Sequence, residues 1–421
     1  MHHFNYKNGE LYCEDLPLTD LAEEVGTPTY VYSHATLTRH FFAFDRAFDE
    51  HPHLTCYSVK SSSNLSLLRL FSNLGAGADI VSGGELFRAL KAGVPPERIV
   101  FSGVGKTREE ITNALKADIL MLNVESSQEL TLINELAQEM EKQAPVALRI
   151  NPDIDPKTHP YITTGLREQK FGIHFNQALS EYCRARTLPG IEVKGLDCHI
   201  GSQLTEVGPF TDSVTRLLVL LDRLKELGIE LTYLDLGGGL GVTYNDETPP
   251  EPDEYARAIR EALAGCDLTM ILEPGRVLVG NAGILLCRVL YTKPGPEKNF
   301  IIVDAAMNDL IRPSLYDSFH AIQPVVLNDR PQIIADVVGP ICESGDFLAL
   351  NRDLPVFAPG ELMAVMSAGA YSYVMSSNYN SRPRPAEVLV RGHEYFIIRA
   401  RESYEDLTRG EEIPDFLLKG A

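Results

Sequence analysis

The sequence predicts an α/β protein, a parallel (βα)8 TIM-like barrel followed by a C-terminal all-β domain that the N-terminal strands join. Three observations carry this expectation. A chain of 421 residues exceeds one ordinary core, so two domains are expected, one of them large. Between residues 54 and 280, eight β-rich runs alternate with helix-like segments at fairly even intervals. After Gly280, strand-like runs follow one another without long helices, separated by Pro and Gly.

The opening MHHFNYKNGELYCEDL alternates like a strand entering a sheet and has no apolar core of the kind a signal peptide needs. With no helical partner nearby, the strands before about residue 35 are expected to cross over to the β-domain. The barrel strands are Leu54–Val59, Ala78–Ser82, Ile99–Gly103, Ile119–Val124, Val146–Asn151, Val193–His199, Tyr233–Gly237 and Thr269–Glu273. Helices fill the intervals, among them Gly84–Lys91, Arg108–Leu115, Ser127–Lys142 and Thr211–Leu227. The β-domain runs are Ile284–Tyr291, Asn299–Val303, Gln332–Val338, Leu362–Ser367, Ala386–Arg391 and Glu394–Arg401. The expected division is 36–280 for the barrel, and 1–35 with 281–421 for the β-domain.

Composition narrows the function. An apolar share of 44% and a charged share of 23% fit a soluble globular protein. The 58 acidic against 38 basic side chains leave 20 net negative charges, which argues against DNA or RNA as a partner. The longest charge-free apolar run, Val277–Cys287, is too short to span a bilayer. Seven scattered cysteines without a CxxC pair suit a reducing, cytoplasmic compartment and offer no metal-site spacing.

Barrel geometry gives the polar residues a place. Active sites of such barrels lie at the C-terminal strand ends, often with phosphate held after strands seven and eight. Those ends read Lys60, Asp79 with Ser82, Ser102, Asn123 with Glu125, Arg149 with Asn151, His199, Gly237–Gly239 and Glu273–Arg276. Stability alone does not explain them, because unpaired buried polar groups cost roughly 1 to 3 kcal/mol each. In LTCYSVKSSSN the strand-forming run stops at Lys60 and small polar residues follow; unlike arginine, a lysine can lose its proton when desolvated and form a Schiff base with an aldehyde.

Two motifs fail inspection. DLGGGLGV would need glycine at Val242 to be a dinucleotide fingerprint, and GVGKT would need glycine at Val100 to be a phosphate loop. The glycine run and EPGR can instead bring backbone N–H groups close to a small anion. A Schiff-base lysine, a phosphate cradle and a strand-end carboxylate together point to pyridoxal 5'-phosphate (PLP).

YSVKSSSN, GADIVSGGEL, NVES, LRINPDID, THPYITTGLREQKFGI, HIGSQ, DLGGGLG, EPGR, VDAAMNDLIRPSLYDSFH, GPICESGDFLA and GAYSYVMSSNYNSRPRPAEVLV resemble the diaminopimelate decarboxylases, over nearly the whole chain. The resemblance makes Lys60 the lysine that binds PLP and His199 the ring stacked on its face. Asp79 joins the cofactor site, and Ser202, Gly238, Gly239, Gly275, Arg276 and Tyr371 form the phosphate site. It sets Glu273 at the pyridine nitrogen, where a carboxylate keeps the ring protonated and a strong electron sink. Cys342 resembles the family's proton donor, supplied by the partner subunit of a homodimer with shared active sites. Glu343 would accept the substrate's distal ammonium, while Arg276, Arg312, Tyr316 and Tyr371 face the substrate, the arginines gripping its distal carboxylate.

Those distal groups favour meso-2,6-diaminopimelate, because ornithine has no distal carboxylate and would leave buried arginines unmatched. The resemblance therefore implies decarboxylation of that small amino acid to L-lysine and CO2, the last step of lysine biosynthesis. Another decarboxylase of the fold, acting on ornithine, arginine, a D-amino acid or carboxynorspermidine, is the rival reading. A catalytically silent protein-binding homologue is the rival from a different class, and retention of Lys60 and Cys342 argues against it.

Overall fold

The computed structural model describes residues 2–154 and 170–418. The chain divides into two compact units. One comprises His34–Ala282 with Gly369–Val374; the other comprises His2–Ser33, Gly283–Ala368 and the residues from Met375 onward.

In the first unit eight parallel strands close on themselves. They are His53–Ser58, Gly77–Ile80, Ile99–Phe101, Met121–Val124, Ala144–Asn151, Ile191–Asp197, Tyr233–Asp235 and Thr269–Leu272. The eighth returns to the first in the register Met270–His53, Ile271–Leu54 and Leu272–Thr55. Parallel neighbours need crossovers, and helices such as Leu65–Asn73, Gly83–Ala92, Arg108–Ala117 and Ser127–Glu139 supply them. Each of these four starts on a side-chain cap. Asn64, Ser82, Thr107 and Ser126 accept the N–H of Ser66, Glu85, Glu110 and Glu129, typically worth about 1 kcal/mol each.

The barrel interior is layered. Cys56, Val100, Met121, Ala147 and Ile271 form a buried apolar layer. Strand side chains alternate between faces, so the residue two positions further on shares the inward face. Those residues are Ser58, Ser102, Asn123, Arg149 and Glu273, and Asp79, Asp197 and Asp235 complete the set with one residue per strand. All eight are buried, none more than 6% exposed.

The second unit is a mixed sheet. Its strand order is Phe347–Pro355, Gln332–Val338, Asn299–Val303, Gly283–Lys293, Thr29–Ser33, Ala386–Arg391 and Glu394–Arg399. Leu362–Val365 pairs with both Gly283–Lys293 and Ile322–Pro324. Phe4, Leu11, Val31, Ile284, Leu286, Val325, Val388 and Val390 share one core cluster.

The N-terminal crossover is thus seen in Thr29–Ser33, placed centrally in this sheet. The earlier strands Phe4–Lys7, Glu10–Cys13 and Leu16–Pro17 belong to the same unit, where they make a three-stranded sheet of their own. The sequence reading passed over Phe347–Pro355, whose exposed middle residues Leu350, Asn351 and Asp353 interrupt apolar alternation. A five-residue helix, Arg312–Tyr316, sits within the otherwise β-rich unit. Of THPYITTGLREQKFGI, residues 158–169 lie outside the described residues.

Candidate active site

Within the first unit, the strand ends open onto a cavity of about 430 Å3, its open mouth included, walled by Ser58, Lys60, His199, Gly239, Glu273 and Arg276 among others. Ser202, Gly238, Gly275 and Tyr371 also line it. Nine of the ten expected cofactor residues therefore meet here. The tenth, Asp79, lies directly beneath and reaches the cavity through Lys60.

Lys60 follows the first strand in a single 3-10 turn, with its side chain about one-third exposed, at 32%. Its Nζ donates to Asp79 Oδ2 at 2.6 Å, and Ser58 Oγ donates to the same oxygen at 2.7 Å. Burial opposes the ammonium charge, but Asp79, Glu273 and Tyr371 outweigh it and hold Lys60 above its ordinary pKa. Desolvation alone would have freed the amine; the fully buried Asp79 carboxylate reverses that outcome.

His199 follows the sixth strand. Gly238 N–H donates to its Nδ1 at 3.3 Å, which assigns the ring proton to Nε2. Burial, then Arg149 and Lys60, hold the ring well below its usual pKa, so it is neutral. The glycine run is required by close approach. A Cβ on Gly238 would stand 2.1 Å from the Glu273 carbonyl oxygen, and Gly239 adopts φ +121°.

Arg276 opens the short helix after the eighth strand. It donates to Tyr244 Oη at 2.7 Å and Ser202 Oγ at 3.2 Å, and its guanidinium lies 4.8 Å from the Tyr371 ring centre. Tyr371 has φ +53°, an uncommon left-handed conformation for a tyrosine, and its N–H donates to Ser61 O at 2.8 Å. Behind the mouth, Arg149 donates to Glu125 at 2.7 Å, and Glu125 also accepts the Gly172 N–H at 2.7 Å.

Sequence reasoning missed three acids and hydroxyls on the inner face: Ser58, Asp197 and Asp235. Each precedes a chosen strand-end residue by two positions, so the period-2 alternation that placed Lys60, His199 and Gly237 was the available signal. Glu273 stands within this set. Burial and the neighbouring Asp235, Asp79 and Asp197 push its carboxyl well above the ordinary range.

The remaining expected residues belong to the second unit. Arg312 is buried there, its Nε donating to His320 Nε2 at 3.4 Å and its NH2 group to Ser318 Oγ at 3.3 Å, with the Tyr316 ring 5.8 Å away. His320 Nδ1 meets the Met366 carbonyl at 2.9 Å, which fixes the tautomer able to accept from Arg312. Cys342 is exposed, and its N–H donates to Asn380 Oδ1 at 2.8 Å. The Glu343 carboxylate beside it holds the Tyr379 hydroxyl above its ordinary pKa.

Comparison with known proteins names the family. The model for the pyridoxal binding domain of pyridoxal-dependent decarboxylases matches residues 34–280. A diaminopimelate decarboxylase from Haemophilus influenzae is 54% identical over 97% of this chain and 98% of its own length. The chain belongs to the diaminopimelate decarboxylase family. The Vibrio cholerae member is 52% identical over 98% of this chain and 99% of its own length. Among solved structures, the M. jannaschii family member in co-complex with L-lysine superposes with a TM-score of 0.93 at 38% identity, covering 99% of this chain and all of that one. The Helicobacter pylori member complexed with L-lysine gives 0.90 at 44%, over 93% and 98% of the two chains.

The residues present fit the family's cofactor, PLP. Gly238, Gly239 and Gly275, which line the cavity without side chains, and the Arg276 guanidinium offer a cradle for a small dianion, with the Lys60 amine and the neutral His199 ring lining the same cavity.

Proposed function

We propose that this protein decarboxylates meso-2,6-diaminopimelate to L-lysine and CO2 with PLP, as a cytoplasmic homodimer with shared sites. The observation that carries the reading is the Lys60–Asp79 contact at the floor of a glycine-lined cavity, in a chain 54% identical over 97% of its length to a diaminopimelate decarboxylase. PLP, when bound, supplies an electron sink for the pair released as CO2 departs.

The chain's own residues do the rest. Lys60 anchors the cofactor covalently, and Asp79 holds the amine at the cavity floor until it does so. Ser202, Gly238, Gly239, Gly275, Arg276 and Tyr371 bind its phosphate, the backbone N–H groups and the guanidinium meeting negative charge. His199, uncharged, would pack against the cofactor's ring, and Glu273 would meet its pyridine nitrogen. Arg312 and Tyr316, with Arg276, grip the distal carboxylate of the substrate, and Glu343 accepts its distal ammonium. Cys342 of the partner subunit delivers a proton to the carbon that has lost CO2.

Incubating the PLP-loaded protein with meso-diaminopimelate, ornithine and arginine, and measuring CO2 release with chiral analysis of the product, tests the reading. L-lysine formed from the first substrate alone supports it. Release from ornithine or arginine at a comparable rate overturns it.

A further inference from the structure

The polar layer at the C-terminal end of the barrel holds more acid than its cations balance. Five buried carboxyl groups meet there: Asp79, Glu125, Asp197, Asp235 and Glu273. The cations facing them are Lys60, paired with Asp79 at 2.6 Å, and Arg149, which is 2.7 Å from Glu125 and 3.9 Å from Asp197. His199 is neutral and adds no charge. Among the described residues, no ion pair reaches Asp235 or Glu273.

These two acids come from adjacent strands and share the inner polar layer, tied through Asn123, which donates both to Asp235 Oδ2 and to the Ser102 hydroxyl that reaches Glu273. With no cation of their own, two buried like charges repel, and the pair is relieved when it holds one proton. The surroundings decide where it sits. Asp235 is ringed by donors, with Gly237 N–H on Oδ1 at 2.9 Å and Asn123 Nδ2 on Oδ2 at 3.0 Å. Among the described residues, the donor to the Glu273 carboxyl is the Ser102 hydroxyl, at a long 3.4 Å from Oε1, and Ser102 itself accepts from Asn123. Donors stabilise the ionised form, so Asp235 is the carboxylate and Glu273 the acid. The directions agree: burial raises both, Asp235 only to about 6 and Glu273 well above the ordinary range.

We infer that Asp235 is a positioning residue that keeps one proton on Glu273, ready to pass to the pyridine nitrogen of the cofactor. The inference rests on the reading of Glu273 as the partner of that nitrogen. The balance is simple. The Glu273 O–H bond breaks and an N–H bond forms, leaving two carboxylates beside one pyridinium. Net charge is unchanged and no proton is drawn from solvent. A lone ionised Glu273 would instead oblige the site to take up a proton as the cofactor enters.

Infrared difference spectra of the apoprotein before and after adding PLP test this, with the visible absorbance reporting that cofactor has bound. In the wild type, the carbonyl stretch of a protonated carboxyl is expected before addition and is lost on binding. In Asp235→Asn the side-chain amide can donate to Glu273, so the band is absent from the start, and calorimetry in buffers of different ionisation enthalpy shows uptake of about one extra proton. A band that persists in the wild type with cofactor bound overturns the inference while leaving the cofactor reading intact. So does an Asp235→Asn spectrum identical to wild type, which would assign the proton to Glu273 unaided. If Asp235→Asn does not fold, Asp235→Ser, which likewise cannot ionise, carries the same comparison. A wild type that takes up no cofactor overturns both readings.

Discussion

Lys60 Nζ and Asp79 Oδ2 stand 2.6 Å apart, a charged amine held by a carboxylate that is wholly buried. Removing the amine leaves Asp79 without its cation. Lys60→Ala is therefore expected to purify without the visible absorbance that the lysine–cofactor linkage gives the wild type, and to lose activity by at least about a thousandfold. Absorption spectra of the two proteins check this, and an unchanged visible band in the variant would falsify the assignment of Lys60.

Arg312 is fixed by His320 and Ser318 in a buried setting. Its replacement removes a two-pronged donor for a carboxylate without touching the cradle formed by Gly238, Gly239 and Arg276. Arg312→Ala should lower kcat/KM for meso-diaminopimelate about a hundredfold or more, near 3 kcal/mol, while the PLP dissociation constant moves little. Equal losses in both measurements would assign Arg312 to the cofactor instead.

Cys342 and Lys60 lie in different units of the chain. In a two-fold dimer with shared sites, Lys60→Ala and Cys342→Ala are each inactive alone. Random subunit exchange makes half the dimers hybrids, each with one site carrying both lesions and one carrying neither. Activity of the mixture should recover to roughly a quarter of wild type. A mixture that stays inactive after exchange is proven by mass spectrometry shows that Cys342 serves its own chain.

Asp309 gives a pH prediction in the second unit. It is buried, accepts the Ala306 N–H at 2.9 Å and the Asn308 amide at 3.0 Å, and burial pushes its carboxyl up to about 7. Its folded pKa is above the unfolded value of about 3.9, so the folded state binds the extra proton. The contribution to stability is full in acid below that unfolded value and is lost as pH rises through about 7. Asp309→Asn cannot titrate. The gap between unfolding midpoints at pH 5 and pH 8 should shrink in the variant by a few degrees, measured by calorimetry. An unchanged gap would show that Asp309 is ionised in the fold at both pH values.

The barrel was legible because its strands are buried on both faces and read as short apolar runs, with helix-like segments between them. Strand ends were legible to within two or three residues, which was enough to find Lys60, His199 and Glu273. It was not enough to find Asp197 and Asp235, because their importance lies in facing inward beside one another, a relation between strands far apart in sequence. The strand Phe347–Pro355 escaped for a related reason. It gains its place from pairing with Gln332–Val338, and its own exposed residues hide it. The raised pKa of Lys60 was also out of reach, since it depends on a partner nineteen residues away.

The short segment Gly369–Val374 belongs with the barrel although the chain on either side of it belongs to the other unit. A ribosome therefore releases all eight barrel strands long before it releases Tyr371, the residue that covers Arg276 and bonds to Ser61. The cofactor pocket is finished late in synthesis, after most of the second unit has emerged. A fragment cut at residue 282 would keep every barrel strand and still lack one wall of the site.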